Sequence, residues 1–228
     1  MKHRKKRLPT RRKRTLGRAA LLLALAAFLS VFRLYAFLPA QALRLAEEEL
    51  NTGSTEVIRR QWVPRSAANE KAGPWLVYLS GKGDTVLLCG LRFRPLTGWQ
   101  TVFMEDHDCA PGAALSGQYC YNGTKGWAVG FLRIGDPSVT AVAVSFQTPT
   151  TEWDDSQEQW KRTEVASLRT GAAEWTEKDG FRYALVTADI REWPAGGLYG
   201  LADLHATAYD AAGNVVAEYD SDSETWRR

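Results

Sequence analysis

Thr85-Val86-Leu87-Leu88-Cys89-Gly90-Leu91-Arg92-Phe93 is written with a period of two. Successive strand side chains point to opposite faces, so Leu87, Cys89, Leu91 and Phe93 share one side and Arg92 takes the other. Val139-Thr140-Ala141-Val142-Ala143-Val144-Ser145-Phe146-Gln147 repeats the pattern, with Val142, Val144 and Phe146 on one face. Those faces are core. Outward from these two stretches the same signature predicts strands at Glu56–Val63, Trp75–Ser80, Thr85–Phe93, Trp99–Glu105, Gly126–Ile134, Val139–Gln147, Glu164–Arg169, Phe181–Ile190, Tyr199–Tyr209 and Val215–Tyr219. Gly81-Lys82-Gly83-Asp84 and Asp210-Ala211-Ala212-Gly213-Asn214 are hairpin connections of ordinary length. The best remaining helical pattern, near Asp155–Arg162, is one or two turns long. The expected fold class is mainly β.

Ahead of the strands lies a helical segment. Pro39 opens it, Ala40-Gln41-Ala42-Leu43-Arg44-Leu45-Ala46-Glu47-Glu48-Glu49-Leu50 consists of strong helix formers, and Asn51-Thr52-Gly53 closes it. Leu43, Ala46 and Leu50 form the stripe to be buried, with Leu45 at its margin. Consecutive helix residues diverge, so Glu47, Glu48 and Glu49 read as a solvated face rather than a metal or acid cluster.

The N-terminus gives an address. Ten cations (Lys2, Arg4, Lys5, Lys6, Arg7, Arg11, Arg12, Lys13, Arg14, Arg18) precede Ala19, leaving 19 basic against 26 acidic residues beyond it. Residues 19 to 40 would extend about 33 Å as a helix, close to the hydrocarbon thickness. The seven Leu, three Phe and one Val between Ala19 and Leu38 favour insertion by roughly 3 to 6 kcal/mol, against at most about 3 for Arg33. Cations stay on the cytoplasmic side, which also argues against reading them as a nucleic-acid arm. The expectation is a single-pass cell-membrane protein: residues 1–18 a basic cytoplasmic segment, 19–40 a transmembrane anchor spanning a helix from about 18 to 38, and an acidic extracytoplasmic body. The competing reading is a cleaved signal peptide with Ala19–Phe32 as its apolar core and Ala40-Gln41-Ala42 as its cleavage site. Its c-region, from Arg33 to Ala42, would be long and would carry a cation, which favours the uncleaved anchor.

About 185 residues follow the anchor, enough for one sandwich or two small cores. The two-part division places an α+β subdomain at 41–124, its helix covering one face of an antiparallel sheet, and a β-sandwich at 125–228. A single sandwich is the alternative.

Gly126-Trp127-Ala128-Val129-Gly130, the run from Gly135-Asp136-Pro137-Ser138 through Phe146, and Ala208-Tyr209-Asp210-Ala211-Ala212-Gly213-Asn214-Val215-Val216 resemble immunoglobulin-like ectodomains of membrane-anchored proteins of Gram-positive bacteria. Pro39–Glu105 is similar in layout to helix-plus-meander modules of the PepSY kind. The resemblance lies in pattern and turn residues over about two thirds of the chain. It implies a surface binding or regulatory module and carries over no catalytic residue. The tryptophan-cysteine-cysteine constellation of antibody domains is not evident, so the immunoglobulin-like label concerns layout.

Cys109 and Cys120 flank the ten residues Ala110–Tyr119, read as a loop that a disulfide would close, stabilising by roughly 3 kcal/mol. Cys89, on an apolar face, reads as a buried free thiol. No C-x-x-C pair occurs, and His107 is the only histidine near the cysteines, so no metal is expected. Asp106-His107-Asp108-Cys109 is the densest reactive quartet, but adjacent strand residues point apart. That leaves Cys109 with distant His205 as the geometric option for a Cys/His pair. G-x-S-x-G, Walker and Rossmann signatures are absent. No catalytic residue and no cofactor is assigned, and the chain is read as a non-enzyme.

Nine tryptophans are the remaining excess. Trp75, Trp99 and Trp127, inside alternating strands, read as core. Trp153 and Trp160, amid Glu152, Asp154, Asp155 and Glu158, read as an exposed ligand platform on a long loop; the acids there lack the order and glycine of a calcium loop. Asn122-Gly123-Thr124 is a sequon only in an exporting eukaryote and otherwise a turn. The expected function is a protein-binding or envelope-associated module whose partners are the bilayer, through residues 19–40, and an envelope protein. The alternative is a carbohydrate or cell-wall-binding module using exposed tryptophan.

Overall fold

The computed structural model describes residues 10–31, 35–69, 73–121, 126–154, 159–192 and 203–221. Two α-helices, α1 (Thr10–Val31) and α2 (Pro39–Glu49), precede a chain of strands: β1 (Glu56–Val63), β2 (Trp75–Lys82), β3 (Thr85–Arg94), β4 (Gly98–Asp108), β5 (Leu115–Tyr121), β6 (Gly126–Ile134), β7 (Ala141–Asp154), β8 (Gln159–Gly171), β9 (Thr176–Lys178), β10 (Phe181–Ile190), β11 (Asp203–Tyr209) and β12 (Val215–Asp220). They form three antiparallel sheets, in the orders β1-β2-β3-β4, β5-β6-β10-β9 and β12-β11-β7-β8. The mainly β reading holds.

The layers stack with three separate cores. Ala42, Leu43 and Ala46 of α2 pack against Leu76, Tyr78, Leu87, Cys89 and Leu91 on one face of the first sheet. Its other face, through Trp75, Val77, Leu79, Val86 and Leu88, meets Val129, Phe131, Tyr183 and Leu185 of the second. The second sheet turns Ala128, Leu132, Ile134, Ala184 and Val186 toward Val142, Val144, Phe146, Leu204 and Ala206 of the third. Strands β2, β3, β6 and β10 are therefore covered on both faces, which is why β3 reads Val-Leu-Leu-Cys-Gly-Leu with hardly a polar residue. Val86 and Leu88, at the alternate positions, are core as well, facing the second sheet, whereas Phe93, expected on the core face, is exposed at the end of the strand.

Several boundaries differ from expectation. The described first helix is Thr10–Val31 rather than 18 to 38. Tyr35–Phe37 are not helical, and Ala36 bridges to Gly98. Leu38 is extended, at φ −118° and ψ 145°, because it precedes the proline that starts α2. Among the described residues no helix is long and apolar enough to cross a membrane. Strand β5 replaces the second half of the loop expected between Cys109 and Cys120; it lies within 41–124 but hydrogen-bonds to β6. Of the short helical turns expected near Asp155–Arg162, the described part, Gln159–Arg162, is strand instead, with Trp160 and Gln159 paired to Trp153 and Asp154. Residues 122–124, 155–158 and 199–202, which carry the sequon, part of the acidic loop and the start of an expected strand, lie outside the described residues.

Candidate functional site

Glu47 departs from the solvated face assigned to it. It is buried, accepts the Thr55 backbone N–H at 2.9 Å and also takes the Thr55 hydroxyl. Ser80 Oγ, fully buried, lies 2.8 Å from that hydroxyl. The carboxylate thus ties the end of α2 to the entry of β1 and the middle of the sheet. This is structural chemistry: every partner is a protein donor.

His107 and Cys109 lie two residues apart, so alternation turns both inward rather than apart. Both are buried, His107 edge-on to Phe131 at 6.2 Å. Beside them is a fully buried cation, Arg133 (1 % exposed). Its guanidinium donates to Asp84 at 2.7 Å and to the Ala110 carbonyl at 2.9 Å, and it lies 4.3 Å from the Phe181 ring centre. Burial pushes the Tyr183 phenol up, with Arg133 opposing the shift. Asp84 belongs to the β2–β3 turn and Arg133 to β6, so the group clamps the first sheet onto the second. Nothing in the sequence pattern distinguished Arg133 from a surface arginine.

The three cysteines are free thiols. Cys109 sits with Tyr183, the register partner of Arg133. Cys120 pairs with Val129 and packs against the same core. Cys109 and Cys120 are not bonded to each other, and five of the ten residues read as loop between them are strand. Burial pushes the Cys89 and Cys120 thiols up to about 12, the opposite of what activates a nucleophile. His205 lies on β11 of the third sheet, its Nδ1 3.9 Å from Asp220, while Cys109 packs in the core between the first and second sheets. The second sheet and its outer core separate them, so Cys109 and His205 do not form a Cys/His pair.

The tryptophans divide. Trp75 is buried, as expected. Trp127 is half-buried and donates its indole N–H to the Pro64 carbonyl at 2.8 Å. Trp153 and Trp160 stand directly opposite each other in the β7–β8 register. Trp99 is half-buried between two exposed rings, 5.9 Å from Trp62 and 5.7 Å from Phe93. These rings are tilted by 50° and 59°, so they form a cluster rather than a flat shelf. Trp62 carried no signal in the sequence beyond its place in a strand, and a bulge between Val57 and Arg59 shifts the parity of β1 ahead of it.

An open basin of about 560 Å³ at the β9–β10 turn is lined by Glu177, Lys178, Asp179, Phe181 and Arg182. Its cations are already engaged. Lys178 pairs with Glu56, while Arg182 donates to the carbonyls of Val139 and Asp136 and lies over the Trp175 ring. A smaller cavity of about 220 Å³ separates the end of α1 from α2, among Ser30, Tyr35, Gln41 and Arg44. Comparison with known proteins finds no match among family models, curated proteins or solved structures.

Proposed function

We infer that the chain is a single-pass, membrane-anchored, extracytoplasmic protein whose β-rich body is a non-enzymatic protein-binding or envelope-associated module. The supporting observation is a contiguous aromatic and apolar surface at the end of the first sheet nearest α1: Trp62, Phe93 and Leu96 are exposed beside Phe37 and Leu38. Such a patch marks a protein or membrane interaction surface, which an envelope-associated module requires. The leucines of α1 at 16, 21, 22, 23 and 25 are exposed too, consistent with a solvent other than water around that helix. The immunoglobulin-like layout for residues 125–228 and the PepSY-like layout for Pro39–Glu105 belong to this reading as proposals.

The carbohydrate alternative retains one observation in its favour, the opposed register of Trp153 and Trp160. One pair of assays separates the readings. Alkaline carbonate should leave the full chain in the membrane pellet, and protease added to intact cells should digest the region after Gly53; release by carbonate, or protection of the body, overturns the anchored topology. Pelleting with purified cell wall that is lost in a folded Trp153→Ala/Trp160→Ala protein would replace protein binding by glycan binding.

A further inference from the structure

We propose that the aromatic end of the first sheet is immersed in the interfacial layer of the membrane, so that the body lies against the bilayer instead of hanging from a tether. This rests on the anchor reading above and specifies how the anchor is completed.

Length supplies the first argument. The apolar part of the described helix, Ala19–Val31, covers about 20 Å, against a hydrocarbon layer of about 30 Å. A span this short is accommodated by local thinning of the bilayer, which brings the headgroup layer to the residues flanking the helix. The junction between α1 and the body is firmly built. The Tyr35 backbone N–H donates to the Leu29 carbonyl at 3.2 Å, and Gln41 Nε2 donates to Ser30 Oγ at 2.9 Å. The Trp99 N–H donates to the Ala36 carbonyl at 2.8 Å, and the Tyr35 hydroxyl donates to the Pro95 carbonyl at 3.1 Å. The end of α1 is thus bonded to the start of α2, and Tyr35–Ala36 to the β3–β4 turn. Wherever the helix end sits, that turn sits beside it.

Surface chemistry supplies the second. At the tip of the turn Leu96 is 92 % exposed, and Trp62 behind it is 60 % exposed. Apolar side chains flanked by tryptophan and tyrosine suit the headgroup boundary, where an amphipathic ring meets both hydrocarbon and water. Charge divides the same way along the sheet. Arg60, Arg65 and Arg94 are exposed at the aromatic end, whose described strand and turn residues (60–65 and 91–101) contain no carboxylate. At the opposite end Asp84, Glu105, Asp106 and Asp108 are exposed, with Lys82 among them. An anionic membrane surface attracts the first end and repels the second.

The test uses the full chain reconstituted in phosphatidylglycerol–phosphatidylcholine vesicles, with a nitroxide on Leu96→Cys, Val215→Cys or Leu23→Cys and wild-type chain as background for the native thiols. Leu96 is so exposed that its replacement leaves the fold intact. Oxygen and a water-soluble nickel chelate then report depth. The expected result is a Leu23 label deep in the acyl chains, a Leu96 label at headgroup depth with severalfold lower nickel access than Val215, and a Val215 label fully in water. A deep Leu23 label with Leu96 as accessible as Val215 overturns the docking and leaves the anchor standing. A water-exposed Leu23 label removes both. Spin–spin broadening at Leu96 that vanishes on dilution with unlabelled chain assigns the patch to a second copy and also overturns the proposal.

Discussion

Burial raises the Cys89 and Cys120 thiols from an ordinary 9.0 to about 12, so the folded chain keeps both protonated where the unfolded chain ionises them. The folded values are raised, and the stability they support is therefore complete below about pH 9 and is lost as pH climbs toward 12. Unfolding in urea at about pH 8 and about pH 10.5 should show a loss of the order of a few kcal/mol across the pair. Cys89→Ala should reduce that pH slope whatever it costs in packing; an unchanged slope would mean the thiol is not buried as described. Glu47 and Arg133 carry the same lesson for charge. Each reads in the sequence as an ordinary surface residue, and each is buried because a specific set of protein donors or acceptors surrounds it. Composition and spacing cannot announce such partners: Thr55 meets Glu47 only because the chain turns back between α2 and β1, and Asp84 and Ala110, in turns 49 and 23 residues from Arg133, reach it only through the packing of two sheets. The buried side of His107 likewise means that His107→Ala disturbs packing, so His205, half-exposed on the third sheet, is the cleaner histidine for asking whether proton transfer matters.

Among the elements, the join between Ala36 and the β3–β4 turn depends on one glycine. Gly98 has φ 75°, and a Cβ there would lie 2.3 Å from the Ala36 carbonyl oxygen. Gly98→Ala should cost about 1–3 kcal/mol from backbone strain and in addition break the contact that holds Tyr35–Ala36 to the sheet. Gly83→Ala provides the comparison, because its φ is 63° but its Cβ would meet open space. Denaturation midpoints should place Gly98→Ala clearly below Gly83→Ala; equal costs would show that close approach contributes nothing. Helix α2 is legible from Pro39, the apolar stripe and the closing glycine, and it lies at Pro39–Glu49. Strand β5 is not legible, because Leu-Ser-Gly-Gln-Tyr-Cys-Tyr alternates weakly and owes its conformation to pairing with β6.

For the whole molecule, the stacking of α2 and three sheets makes the central strands common property of neighbouring cores. Phe131 on β6 is fully buried between the first and second sheets, while Leu132 beside it faces the third. Phe131→Ala should cost about 3–5 kcal/mol. It should also lower the exchange protection of first-sheet and third-sheet amides together, because both depend on the same strand. Separate melting of the two outer sheets would overturn that coupling. Local periodicity and turn residues are enough to read the β class, the helix before the meander and most strand positions from the chain alone. It also carried the cationic N-terminus and the apolar run beside it. Packing of the layers is what covers the apolar strands on both faces, buries Arg133 and Glu47, and gathers Trp62, Phe93 and Leu96 beside the end of α1. Alternation assigns a residue to a face of its own strand; which layer then covers that face, and which distant residues meet there, is settled by how the sheets pack.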